Sequence, residues 1–246
     1  MRNIKLTLQY DGTDYFGWQR QKNTHRTIAE IIEDSLKKIL QEKVKLIASG
    51  RTDAGVHAQA QVANFTTVSS LGTSRLSHSL NALLPEDIRV IIAKDAPLDF
   101  NSRYSAKAKT YRYTILNRHS SDVFLRRYVY HFPLSYLDVN AMRKASAILV
   151  GSHDFSSFKH TDKKKRTTIR DLKDIKVMRR GEFIYIDVTA NSFLYHMVRN
   201  IAGTLIEIGK GKLPPESLKN ILQAKDRKTA GPTAPACGLC LMKVRY

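Results

Sequence analysis

Ile4-Lys5-Leu6-Thr7-Leu8-Gln9-Tyr10 alternates apolar and polar side chains, and Asp11-Gly12-Thr13 follows it. A period of two marks a half-buried strand. Asp and Gly supply the turn that ends it. Downstream, Thr27 opens a helix, with Glu30 at the spacing of a capping box. Ile28, Ile31, Ile32, Ser35, Leu36 and Ile39 mark one face of that helix. Strands are expected near 44–49 and 59–66. A second helix is expected from about Ser74 to Leu84, with Leu76, Leu80 and Leu83 on one side and Pro85 helping to end it. Ile88 to Ala93 reads as another strand. The first hundred residues therefore read β-α-β-β-α-β, the ferredoxin-like unit.

The second half resembles that plan with longer pieces. Ala106 to Leu116 reads as a long strand and Tyr128 to Phe132 as a short one. Asp138 to Val150 reads as a helix with Met142, Ala145, Ile148 and Leu149 inward. Strands follow near 169–178 and 183–189. Asn191 or Ser192 is expected to cap a helix reaching Gly209. Pro214-Pro215 opens a short helix, where proline is tolerated. Leu241 to Tyr246 closes as a strand. No sequence repeat is visible, only a similar order of elements. The expected division is an N-terminal ferredoxin-like domain over 1–103 and a C-terminal one over 104–246. The fold class is α+β.

Charge narrows the partners. Lys and Arg number 41 against 22 Asp and Glu, a formal net charge of +19. Such an excess speeds encounter with polyanions and points to nucleic acid or an acidic surface. No stretch is apolar for long enough to cross a membrane, and Met1-Arg2-Asn3-Ile4-Lys5 lacks the apolar core of a secretory signal. The two cysteines, Cys237 and Cys240, form a lone C-x-x-C. A zinc site needs four ligands, and no second pair supplies them. Both are read as half-buried strand cysteines. These features fit a reduced, cytoplasmic protein without a metal.

Four stretches carry chemistry. Gly50-Arg51-Thr52-Asp53-Ala54-Gly55-Val56-His57-Ala58 places one carboxylate between two glycines, two residues after an arginine. Small residues let the backbone bend and a large ligand approach. Asp53 there is either a polar hairpin turn or a carboxylate presented to a substrate, with Arg51 holding it ionised. The second stretch is the late helix, where His196, Arg199 and Gly203 share a stripe beside the apolar Met197, Val198, Ile201, Leu205 and Ile208. Arg199 either snorkels to solvent or pairs with a buried carboxylate, for which Asp53 is the candidate. In the third, Lys107, Lys109, Tyr111 and Tyr113 alternate onto one strand face, with Arg112 on the other. Basic and aromatic side chains together suit RNA, whose bases stack on aromatics. The fourth is the most basic run, Lys159 to Arg170, whose Lys163, Lys164, Lys165 and Arg166 suit phosphate contact. Trp18, in the loop after the first strand, either anchors that loop in the core or meets RNA.

Taken in order, Tyr10-Asp11-Gly12-Thr13, Gly17-Trp18-Gln19-Arg20-Gln21, Gly50 to Ala58, Tyr111-Arg112-Tyr113 and His196-Met197-Val198-Arg199-Asn200-Ile201-Ala202-Gly203 resemble the motifs of TruA-type tRNA pseudouridine synthases. The resemblance covers nearly the whole chain. It implies two ferredoxin-like halves joined into one extended antiparallel sheet, helices on one face and an active-site cleft between the halves. It implies a homodimer that converts uridine to pseudouridine at positions 38, 39 and 40 of the tRNA anticodon stem-loop, without a cofactor. Asp53 matches the catalytic aspartate and Arg51 an arginine linked to base flipping. Tyr111 matches a tyrosine that stacks on the target base, and Arg199 the arginine paired with the aspartate. Arg103 and the 162–166 segment fall where the family contacts tRNA. Tyr195 stands where a second histidine is common.

The chemistry suits these residues. Pseudouridine formation breaks N1–C1′ and joins C5 to C1′, so it needs neither cofactor nor energy source. The base must first leave its stack. One ionised carboxylate in a mostly dry pocket needs a guanidinium partner. Two rival readings stand beside this one. A non-catalytic RNA-binding or RNA-chaperone protein explains the charge, but not a carboxylate among basic residues. A metal-dependent nuclease wants clustered carboxylates, and the key motif offers one.

Overall fold

The computed structural model describes residues 1–133, 136–160 and 167–246. In chain order the elements are β1 (Arg2–Tyr10), α1 (Ile28–Leu40), β2 (Ile47–Ala48), β3 (His57–Thr67), α2 (Thr73–Leu83) and β4 (Ile88–Ala96). There follow β5 (Ala108–Leu116), β6 (Tyr130–His131), α3 (Val139–Ser146), β7 (Gly151–Asp154), β8 (Ile169–Arg180) and β9 (Phe183–Ala190). The chain ends with α4 (Met197–Gly209), α5 (Ser217–Ala224) and β10 (Leu239–Arg245). The fold is α+β, in two compact units. One comprises Met1–Lys107 with Cys240–Tyr246, the other Ala108–Leu239.

In the first unit β1 lies between β4 and β3, antiparallel to both. The outer edge of β3 is shared. β2 pairs antiparallel with Ala63 and Asn64, and β10 pairs parallel with His57 and Ala58. The strand pattern reads as expected, because Ile4, Leu6 and Leu8 are fully buried while Lys5 and Thr7 between them are not. Ile28, Ile32 and Leu36 of α1 and Leu76 and Leu80 of α2 complete this core. Each such side chain contributes about 1.5–3 kcal/mol on burial. Leu83, expected on the same side, is exposed at the last position of α2.

The start of α1 differs from the expected capping box. Thr27 is the N-cap, yet its hydroxyl makes no capping bond. The first free N–H groups are met instead by loop carbonyls: Ile28 N donates to Gly17 O and Ala29 N to Trp18 O, at 3.1 and 3.0 Å. Glu30 is engaged elsewhere, its carboxylate 3.0 Å from Arg20 and 2.9 Å from His25.

In the second unit the strand order is β5–β9–β8–β7, each neighbour antiparallel. β6 adds to β5 in parallel. α3 packs on α4 and β8. Asp138 caps α3, accepting from the amides of Asn140 and Ala141. The expected all-antiparallel sheet is therefore corrected to a mixed one, through β10 on β3 and β6 on β5. β7 was not expected; its sequence, Gly-Ser-His-Asp, has no apolar alternation to announce it. α4 begins at Met197 rather than near Asn191. The Asn191 side chain instead accepts from the amides of Asp171 and Ser192, and His196 takes a left-handed φ of 62° as the N-cap. Cys240 lies in β10, but Cys237 sits in a 3-10 turn before it.

Candidate active site

In the first unit, the Asp53 loop is held by the loop that follows β1. Trp18 N donates to Thr52 O at 3.0 Å, and Gly55 N to Tyr15 O at 3.3 Å. Val56 N closes a turn onto Asp53 O at 3.2 Å. Beneath them the Tyr10 hydroxyl meets Thr52 Oγ1 at 2.8 Å, and buried Gln61 donates to Gly50 O at 2.9 Å. Trp18 is buried, so it anchors this loop in the core.

Two glycines permit the contact. A Cβ on Gly12 would stand 2.0 Å from Val56 O. One on Gly17, whose φ is +82°, would stand 2.6 Å from Thr52 O. The two backbones touch at distances no side chain allows. The Tyr10-Asp11-Gly12 and Gly17-Trp18 motifs are thus the mould of the Asp53 loop. Asp11 contributes by accepting from Thr13 N and from the Thr13 hydroxyl. His57 Nδ1 lies 3.1 Å from both Gly12 N and Asp11 Oδ1, which ties the loop after β1 to the start of β3. Asp53 itself is half-buried, and Arg51 is exposed. Arg103 is exposed with its guanidinium 5.6 Å from the Tyr104 ring centre. Lys107 is exposed just before β5.

In the second unit, Tyr111 lies on β5 opposite Val188 of β9. It is buried, and the Phe193 ring meets it edge-on, with centres 5.0 Å apart. Tyr113, two residues on, is fully buried, and its hydroxyl donates to Pro235 O at 2.9 Å. Burial pushes the Tyr113 phenol well above its ordinary range, against a downward pull from Arg199. Lys109 is buried as well, at 8% exposure, so this strand face is not the open basic surface that alternation suggested. Lys163, Lys164, Lys165 and Arg166 lie outside the described residues.

Arg199 is half-buried in the first turn of α4, and its Nε donates to Ala234 O at 2.7 Å. Ala234 N donates back to Arg199 O at 3.1 Å. The segment 227–234 is therefore tied to α4. Asn200, fully buried, is the second tie: its Nδ2 donates to Phe158 O, and its Oδ1 accepts from Arg227 and Thr233. Gly203 completes the contact, since a Cβ there would stand 1.7 Å from Pro232 O. Sequence reasoning passed over Asn200 and Arg227. A polar amide on the apolar side of a helix was the available signal for the first.

Among the described residues no group of three or more His, Cys, Asp or Glu side chains is placed to hold a metal ion. No helix among them is long and apolar enough to cross a membrane.

The profile of the tRNA pseudouridine synthases matches residues 7–105 and 145–246. The chain belongs to that family. It is 49% identical over 246 residues to tRNA pseudouridine synthase A of Caldicellulosiruptor bescii, covering all of both chains. It is 47% identical over 244 residues to the protein of that name from Moorella thermoacetica, covering 99% of each. The enzyme of that name from Thermoanaerobacter sp. (strain X514) is 46% identical over 247 residues and also matches over full length. Among solved structures, a chain of a Cbf5–Nop10–Gar1 complex aligns with a TM-score of 0.38 and 13% identity, over 97% of this chain and about half (48%) of that one. At that level of similarity nothing about activity carries across. The motifs that build the Asp53 loop and the α4 contact fall inside the matched ranges.

Proposed function

We propose that this protein isomerises uridine to pseudouridine at positions 38, 39 and 40 of the tRNA anticodon stem-loop, with Asp53 as the catalytic carboxylate. The observation that carries this reading is the locked Asp53 loop. In this chain, Gly12 and Gly17 fix the backbone at Val56 and Thr52, on either side of one half-buried carboxylate. Rigid placement of this kind serves a group that must meet a reacting atom.

The reaction breaks N1–C1′, turns the uracil and forms C5–C1′; N1 gains a proton and C5 gives one up. One ionised carboxylate serves each of three routes: attack at C1′, attack at C6, or removal of the C2′ proton. Arg51 and Arg199 are assigned to keep the carboxylate ionised against desolvation. Arg51 fills the space the base vacates, and Tyr111 stacks on the extruded uracil. Arg103, Lys107 and the Lys163–Arg166 run hold phosphates. Lys109, being buried, is left out of that surface. The working form is a cytoplasmic homodimer that uses no cofactor.

The test is incubation with unmodified tRNA, without metal or cofactor, followed by mapping of pseudouridine at each position. Asp53→Asn is expected to bind tRNA and form no pseudouridine. Normal turnover by that variant would remove Asp53 from the chemistry. Tight tRNA binding without any product from the unaltered chain would favour a non-catalytic RNA-binding protein, and released free uracil a hydrolase.

A further inference from the structure

At the N-terminal end of α4 three ring side chains cluster beside a pocket. His196 and Tyr195 are sequence neighbours whose ring centres lie 4.0 Å apart. His160 comes to 5.1 Å from Tyr195 and 4.9 Å from His196. Its amide donates to Tyr195 O at 3.0 Å, which fastens the two segments together. The left-handed φ of 62° at His196 turns the chain so that adjacent side chains share one side. Residues held in that region against their preference cluster at functional sites.

The pocket has a volume of about 390 Å³ and is lined by His160, His196, Lys228 and the 230–233 segment. Its wall is preformed. Arg227 spends its guanidinium on Ala230 O, Gly231 O, Asn200 Oδ1 and Thr233 Oγ1, and so holds the segment's curve. Gly231 approaches Thr204 so closely that a Cβ would stand 2.7 Å from its Cα. Tyr195 is 51% exposed, and Lys228 is exposed. A large aromatic ring left half in water, beside a rigid pocket with a lysine at its rim, has the two parts of a nucleotide site: a flat apolar face and a cation.

We propose that Tyr195, His196 and His160 form a stacking platform for one unpaired base of the bound RNA, with Lys228 holding an adjoining phosphate. This base is distinct from the one assigned to Tyr111, which is buried on β5. The proposal rests on the reading of tRNA as substrate. An unpaired base is required because stacking in a stem covers both faces of a base. Burial, together with Arg199, His160 and Arg227, lowers the His196 pKa to about 4, so its ring is neutral at physiological pH and offers a face rather than a charge. Such a platform takes any base, since every base has a π-face.

The test is equilibrium binding of unmodified tRNA in the Asp53→Asn background, across salt concentrations. Tyr195→Ala is expected to weaken binding about 5- to 150-fold, the range for loss of one base–aromatic stack. Its log–log salt slope should stay unchanged, while Lys228→Ala should reduce the slope by about one phosphate's worth, ~0.9 or less. Tyr195→Phe and Tyr195→Trp should bind like the parent. Should Tyr195→Ala fail to fold, Tyr195→Leu keeps apolar volume without a π-face and reads the same loss. Parent-like affinity of the Ala or Leu variant would overturn the platform, as would an equal loss in Tyr195→Phe, which would assign the effect to the hydroxyl. Because the readout is affinity and not turnover, it stands apart from the fate of Asp53 as catalyst.

Discussion

Gly12→Ala tests the lock on the Asp53 loop. The added Cβ would stand 2.0 Å from Val56 O, whereas real Cβ contacts essentially never fall below 3.0 Å. The two backbones must therefore part by about 1 Å, the difference between those distances. Gly12 N also donates to His57 Nδ1, so the displacement strains that bond as well. Val56 N is bonded to Asp53 O, and Thr52 O to Trp18 N, so movement at Val56 is passed to the carboxylate's own turn. A misplacement of that size costs about 100-fold in rate when a reacting group is held rigidly. Overpacking should cost about 1–3 kcal/mol of stability. For a chain of this size that is a fall in Tm of roughly 2–12 °C. The assay is release of tritium from tRNA labelled at uridine C5, since C5 exchanges its hydrogen for C1′. It should be run at saturating tRNA, below the lowered Tm. The expected result is a kcat reduced about 100-fold, with tRNA affinity little changed. Gly72→Ala is the control, because nothing lies within 4 Å of its added Cβ. A Gly12→Ala protein with parental kcat and Tm would refute the lock.

Two further outcomes follow from the α4 region. Asn200→Ala removes a fully buried amide that bonds Phe158, Arg227 and Thr233, and should cost about 3 kcal/mol. Calorimetry should show Tm lower by roughly 6–12 °C; a change under 2 °C would mean that the segment is held elsewhere. The His196 pKa, lowered from 6.5 to about 4 chiefly by burial, makes the unfolded chain bind the extra proton first. Stability from this residue is full above pH 6.5 and is lost as pH falls from 6.5 toward 4. His196→Asn keeps a residue that tolerates positive φ and removes the titration, so its Tm should fall less than the parent's between pH 7 and 4.5. Parallel Tm–pH curves would argue against a depressed His196 pKa.

Strands and helices with strong periods were legible because periodicity is a property of the chain itself. β1 and the apolar face of α1 are examples, since Ile4, Leu6, Leu8, Ile28, Ile32 and Leu36 name their own buried side. Element ends were less legible. Thr27 and Glu30 have capping-box spacing, yet the carbonyls of Gly17 and Trp18 reach the helix first, and Glu30 answers Arg20 and His25. Asn191 has capping chemistry and spends it on a turn. Such choices are contests between partners distant in sequence, and only their positions decide them.

For the site the division is similar. The order of the motifs by itself determined the family and pointed to Asp53, Tyr111, Arg51 and Arg199, because residue type and spacing are enough to recognise a shared pattern. Why Gly12 and Gly17 belong to that pattern only the tertiary structure decided. Each stands against the backbone of residues 52–56, some forty residues away, and a close approach of two main chains leaves no trace in the periodicity of either. The same holds for Asn200 with Arg227 and for β10 lying parallel to β3. Sequence carries what a residue can do locally; packing selects which distant group it does it with.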